Sequence, residues 1–106
     1  MSADTRGQLD LLILCALDAG PAHGYAIIER IRQRSGGVLE IAEGSAYPAL
    51  HALERAGLLE SVWAKEAGRR RKTYQLTRRG QRRLAELTRE YRRFARGMSA
   101  VLGAST

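Results

Sequence analysis

Thiol chemistry is almost absent from this chain: it has one cysteine, Cys15, so an internal disulfide is excluded. Cys15 sits in an apolar run, where a buried, inert thiol is the expected state. Metal-binding side chains are equally scarce. The two histidines, His23 and His51, lie far apart in sequence, and no Cys/His cluster has ligand spacing. No metal or other cofactor is expected. Long hydrophobic runs are missing too. The largely apolar stretch Leu9 to Leu17 is about half of what a membrane span needs, and no cleavage pattern follows a basic flank. A cytoplasmic protein with no membrane partner is therefore expected. Gly36-Gly37 and Gly44 are too sparse for a nucleotide loop, and no nucleophile–base pairing is visible, which argues against an enzyme.

Positive charge is in excess. Lys and Arg number 18 against 11 Asp and Glu, for a net charge of +7 on 106 residues. A small domain this basic suits a polyanion: DNA, RNA or an acidic membrane surface. Hydrophobic residues make up 44%, enough for one core and against wholesale disorder.

The pattern along the chain predicts four helices and a β-hairpin. Residues 1–6 are polar and expected to be disordered. Residues 7–18 read as a helix whose Leu9, Leu12, Ile13, Ala16 and Leu17 share a face. Leu11 and Leu14 fall on another side, which suggests cover from a second subunit. Ala19-Gly20-Pro21 breaks the chain, and a second helix is expected from His23 to Ser35. Ala26, Ile27 and Ile31 form its apolar side, and Glu29, Arg30, Arg32, Gln33 and Arg34 its wet side. His23 is expected to cap or pack. Tyr25 is either core or a phosphate donor. After Gly36-Gly37, residues 38–41 read as a short extended segment.

A third helix is expected over 45–56, with Ser45 as N-cap and Pro48 in its first turn. Ala46, Ala49, Leu50 and Leu53 make its inner face, whereas Tyr47, His51 and Arg55 point elsewhere. Gly57 is placed to end it. Alternation over Leu58–Lys65 and Lys72–Thr77 predicts two strands, with Trp63 as a packing residue. The intervening Glu66–Arg71 predicts a loop longer than a tight turn, with a projecting, moving tip. Arg69, Arg70, Arg71 and Lys72 repel one another and are poorly explained as stabilising residues; a phosphate backbone explains them better. From Thr77 or Arg78 to Leu102 a long helix carries Leu84, Leu87, Tyr91, Phe94, Met98 and Val101 at alternating spacings of 3 and 4. That heptad stripe needs a partner, and a second copy of the chain is the simplest. The arginines on its other side read as a solvated face.

The order predicts an α+β fold, mainly helical with a small hairpin: a winged helix-turn-helix over 1–77 and a dimerisation helix over 78–106. A short helix with a polar outer face can enter a major groove, and a basic wing can follow phosphates. A winged helix that binds protein or RNA is the alternative reading.

Several runs carry a more specific signal. Gly24-Tyr25 follows Gly20-Pro21. Then come Gly44-Ser45-Ala46-Tyr47-Pro48-Ala49-Leu50, Leu53-Glu54, Gly57-Leu58, Trp63, the Arg69–Lys72 stretch, Tyr74-Gln75-Leu76-Thr77 and Gly80. Over residues 7–95 the chain resembles the PadR family of transcriptional regulators. The resemblance implies a winged helix, a C-terminal dimerisation helix, and a homodimer that represses from a pseudo-palindromic double-stranded DNA operator. By it, Tyr25, Ser45, Tyr47, His51, Arg69, Arg70, Arg71 and Lys72 contact DNA. Leu11, Leu14, Leu84, Leu87, Tyr91, Phe94, Met98 and Val101 are assigned to the dimer contact. The chain looks like the short subgroup with one C-terminal helix. Some members take a small-molecule effector between subunits, in one case on a tryptophan of the terminal helix. Residues 78–106 contain none, so Tyr91 and Phe94 are read as dimer core.

Overall fold

A computed structural model describes residues 6–103. The expected disorder of 1–6 falls almost wholly outside that range. The elements are α1 (Arg6–Asp18), β1 (Ala22–His23), α2 (Gly24–Arg34), α3 (Glu43–Arg55), β2 (Leu59–Glu66), β3 (Arg69–Leu76) and α4 (Arg78–Leu102). The strands form one antiparallel sheet in the order β1-β3-β2. Four helices with a small sheet confirm the α+β winged-helix expectation.

α1 occupies the middle of the domain and packs on α2, α3, β3 and α4. That is why it is apolar over most of its circumference: its own chain covers several of its sides. Ile13, Leu14, Ala16 and Leu17 are buried with Ile27 and Ile31 of α2, Leu50 and Leu53 of α3, and Leu59 and Tyr74 of the sheet. Leu14, assigned above to the dimer contact, is 0% exposed and has no surface left for a partner. Leu11 remains half-buried.

The ends of these helices explain the chain's course. Arg30, expected on the wet side of α2, instead reaches back to the end of α1. Its guanidinium donates to the carbonyls of Ala16 (3.0 Å), Gly20 (2.7 Å) and Pro21 (3.3 Å). These groups lack helical partners, so a cation there satisfies both hydrogen bonding and the helix dipole. The segment 38–41 is not a strand. It leaves α2 with the Leu39 amide donating to the Ser35 hydroxyl at 2.9 Å. β1 was not expected: two residues are too few to show alternation, yet Ala22 and His23 pair with Tyr74 and Thr73.

α3 starts two residues earlier than expected. Ala42 is its N-cap, without a side-chain bond, and Glu43 supplies a negative charge to the first turn. Ser45 is therefore inside the helix and caps nothing; its amide donates to the Ala42 carbonyl at 3.0 Å. Gly57 ends α3 as expected. Its φ of 78° lets its amide reach Glu54 O (3.0 Å) and the Leu58 amide reach Leu53 O (3.0 Å).

The hairpin differs most from expectation. β2 and β3 run in register from Leu59↔Leu76 to Glu66↔Arg69, leaving only Ala67-Gly68 as the turn. Both turn residues have positive φ, 52° and 77°. Such a two-residue turn matches the twist of paired strands. The polar composition of 66–71 signalled a loop, but its arginines are strand residues.

Thr77 caps α4, as expected, by accepting the Gly80 amide at 3.0 Å. With 25 residues, α4 is about 37 Å long at roughly 1.5 Å per residue, longer than the domain can cover. Leu84 and Leu87 pack against the core. Tyr91, Phe94, Met98 and Val101 are exposed. The heptad stripe thus divides: its first part serves the chain's own domain and its second part is bare.

Candidate nucleic-acid interface

The inner face of α3 is fixed by Ala46, Leu50 and Leu53, all buried. By helix geometry the opposite side must then face out. Ser45, Pro48, His51, Ala52 and Arg55 are exposed there. No acidic side chain interrupts this strip after Glu43. The surface is narrow and polar, with an imidazole at its centre and a guanidinium at its end.

Tyr47 is placed differently. It is half-buried, and its ring lies against Gly24 so closely that a Cβ there would sit 2.6 Å from the ring. Glycine at 24 is what lets the start of α2 and α3 approach. Tyr47 therefore lines a cleft rather than projecting from α3. The cleft is shared with His23, Tyr25, His51, Trp63, Arg71, Lys72 and Tyr74. Tyr25 is 56% exposed, so it is not a core residue.

The four cations of β3 are not equivalent, because alternate strand residues face opposite ways. Lys72 opposes Trp63 and Arg70 opposes Lys65 on one face; Arg71 opposes Ala64 and Arg69 opposes Glu66 on the other. The Arg70 guanidinium stands over the Trp63 ring, 5.0 Å from its centroid. Trp63, expected as a packing residue, is 58% exposed and packs under this arginine as its platform. Arg71 places a guanidinium nitrogen 2.7 Å from His23 Nε2. His23 Nδ1 also lies 3.3 Å from the Ala26 amide it caps. A neutral imidazole has one lone pair for acceptance, so it serves one of these donors at a time. Arg71 is exposed beside His23.

Lys72 is the least available. Its Nζ is 3.3 Å from Glu54 Oε1 of α3 and 5.3 Å from the Tyr74 ring centroid. The Glu54 carboxyl is held below its ordinary range, first by the Ser61 hydroxyl donating to it and also by Lys72, against the opposing effect of burial. Burial pulls the Lys72 ammonium down, but its bonds to Glu54 and Tyr74 outweigh that and leave it raised. Sequence reasoning missed Glu54 and Ser61. Their contact joins two elements, and no local pattern announces it.

Among the described residues, no group of three or more His, Cys, Asp or Glu could hold a metal ion. No helix among them is long and apolar enough to cross a membrane. What the surface offers is an arc of hydroxyls, imidazoles and guanidinium groups, suited to phosphates and base edges.

The comparisons agree with this geometry. The family model for the transcriptional regulator PadR-like family matches residues 13–86. A transcriptional regulator from Clostridium thermocellum, Cth-833, superposes with a TM-score of 0.84 at 29% identity, over 94% of this chain and 96% of that one. A PadR family transcription regulator from Clostridium difficile gives a TM-score of 0.79 at 31% identity, over 89% and 97%. Protein X of Lysinibacillus sphaericus is 31% identical over 81% of this chain and 80% of its own length. With the winged helix, the bare polar face of α3 and the basic hairpin in place, this chain belongs to the PadR-like family of transcriptional regulators and is a DNA-binding regulator.

Proposed function

We propose that the protein is a cytoplasmic repressor that acts as a homodimer on a pseudo-palindromic operator. The observation that carries this reading is the pairing of two bare surfaces on one rigid frame. One is the polar strip of α3 with the arginines of β3. The other is the apolar far half of α4, where Phe94, Gly97, Met98 and Val101 line a groove. The first reads duplex DNA and the second takes the same helix of another copy. Two-fold symmetry then presents two α3 helices to successive major grooves, roughly 10–10.5 bp apart. His51 and Ser45 face bases or phosphates from α3, with Arg55 beside them. Arg69, Arg70 and Arg71 track the backbone or enter the minor groove. Tyr25 donates to a phosphate at the cleft mouth. Tyr47 shapes the cleft from below.

A dimer seated on a promoter excludes polymerase, which makes repression the simplest consequence. An effector binding between the subunits relieves it by changing the angle between the two α3 helices.

The test is a titration of the purified protein against its own upstream DNA and a scrambled duplex, at several salt concentrations, with sedimentation run alongside. The expected result is a dimer that prefers the upstream duplex, with affinity falling steeply in salt. Equal binding to both duplexes would leave a non-specific nucleic-acid binder. A monomer at the concentrations where DNA is bound would refute the homodimer.

A further inference from the structure

Glu54 presents a puzzle to the DNA-binding reading, and its role rests on that reading. It is a carboxylate in the last turn of the helix proposed to enter the groove. An unneutralised acid there would repel the phosphates that Arg55 and the β3 arginines attract. Both of its oxygens are occupied: Oε2 accepts from the Ser61 hydroxyl of β2, and Oε1 takes Lys72 of β3 at 3.3 Å. Its partners thus come from both strands of the hairpin. The ion pair is mostly covered, with the Lys72 and Glu54 side chains 31% and 30% exposed. Tyr74, buried in the sheet, closes one side of the ammonium.

We infer that Glu54 is a positioning residue that ties the hairpin to α3 through Ser61 and Lys72, and that Lys72 neutralises Glu54 rather than a DNA phosphate. The distance between the groove-reading helix and the arginines of β3 is then held by side chains as well as by the short Ala56–Leu58 connection. Among the described residues Arg69, Arg70 and Arg71 are the β3 cations with no carboxylate partner, while Lys72 and Glu54 together contribute no net charge to the contact.

Such a tie has a signature that a phosphate-binding lysine lacks. Lys72→Gln leaves Glu54 bare and weakens operator binding. Glu54→Gln with Lys72→Gln removes both charges, and recovers most of that loss. Glu54→Gln alone releases Lys72 in both subunits, so non-specific binding tightens, and the slope of log K against log salt steepens by about 1.8, the contribution of two added phosphate contacts per dimer at about 0.9 each. Its preference for operator over scrambled duplex falls, because the hairpin is no longer held.

The experiment measures these three variants and Arg71→Gln against operator and scrambled duplexes from low to high salt. The expected pattern is a slope near wild type for the double variant and a slope shallower by about 1.8 for Arg71→Gln, which removes one contact from each subunit. A Lys72→Gln slope shallower by that amount, with no recovery in the double variant, makes Lys72 a phosphate ligand and overturns the inference. Thermal unfolding of the same set without DNA provides a second readout. A pair this covered should show coupling of about fivefold in the folded-to-unfolded ratio. Additive effects overturn the tie. A wild-type protein that binds no duplex, with the coupling intact, overturns the DNA-binding reading and leaves the tie standing.

Discussion

Gly80 offers the sharpest test of how the molecule is joined. It lies in the first turn of α4, three residues after the Thr77 cap, and is buried. A Cβ at this position would overlap the Leu58 carbonyl oxygen, and would sit 3.1 Å from the Leu58 carbonyl carbon and 3.4 Å from a Leu76 methyl. The obstacle is backbone, and it cannot rotate away. The same carbonyl accepts the Thr77 amide at 3.2 Å, and the Thr77 hydroxyl donates to Gly57 O at 2.7 Å. To admit a methyl group, α4 must move off the end of α3 and stretch these bonds. Overpacking costs about 1–3 kcal/mol and belongs at the upper end here, since the neighbour is rigid. Weakening the Thr77 cap adds about 1 kcal/mol. The gain from replacing glycine in a helix offsets about 0.5–1 kcal/mol. Gly80→Ala should therefore destabilise by about 3 kcal/mol, which lowers the melting temperature by on the order of 10–20 °C for a domain of this size. Gly44→Ala is the matched control. It also lies in the first turn of a helix, but nothing stands within 4 Å of its would-be Cβ. It should be neutral or stabilising by about 0.4–1 kcal/mol. Chemical denaturation of both variants, read by circular dichroism, separates them. A Gly80→Ala midpoint equal to wild type would refute the claim that α4 and α3 are locked at this contact.

Other perturbations test separate parts. Ala67 has φ of 52°, a conformation that costs a residue with a Cβ about 1–2 kcal/mol, so Ala67→Gly should raise the unfolding midpoint despite its greater chain entropy. Gly24→Ala drives a methyl into the Tyr47 ring, which can swing outward; operator affinity should fall more than stability does, as anisotropy and melting would show together. Phe94→Glu alters a residue that is 59% exposed, so folding should survive while sedimentation shows a shift toward monomer. Asp10 has its carboxyl pushed up by burial, only partly countered by Arg83. The folded state therefore holds its proton to higher pH than the unfolded state, and stability falls as pH rises between the two values. Asp10→Asn should remove that fall and stabilise the protein at neutral pH; an unchanged stability–pH profile would contradict it.

The number and order of the helices, the presence of the two hairpin strands and the caps at Gly57 and Thr77 were legible because each is written in a local pattern. What escaped was set by distant residues. Leu14 looked like a contact for another subunit because α1 is apolar on several sides, but α2, α3, β3 and α4 of the same chain cover those sides. Glu66–Arg71 looked like a loop because polar, glycine-containing segments usually are. The register is set instead at the far end, by Leu59 against Leu76, and it leaves two residues for the turn. Ser45 looked like a cap, but the helix runs back through Glu43 to Ala42. Among the expected DNA-contacting residues, Ser45, His51 and Arg69 to Arg71 remain on the open surface, and Tyr25 joins them. Tyr47 and Lys72 are drawn inward, one by the missing side chain at Gly24 and the other by Glu54.

These inward residues matter to how a DNA-binding regulator of this size can discriminate among sequences. A reader of two half-sites must hold two helices at a fixed separation and angle, and a small domain has few contacts to spare for that. Here the end of α3 and the start of α4 share hydrogen bonds through Gly57, Leu58 and Thr77, so the helix proposed to read DNA and the helix proposed to pair meet at one junction. In the proposed dimer, a tilt of one α4 against the other becomes a tilt of α3 against the groove, with no hinge between to absorb it. That same junction makes the bare half of α4 the effective place for the proposed effector to act: a ligand there need not approach the DNA surface to disturb it.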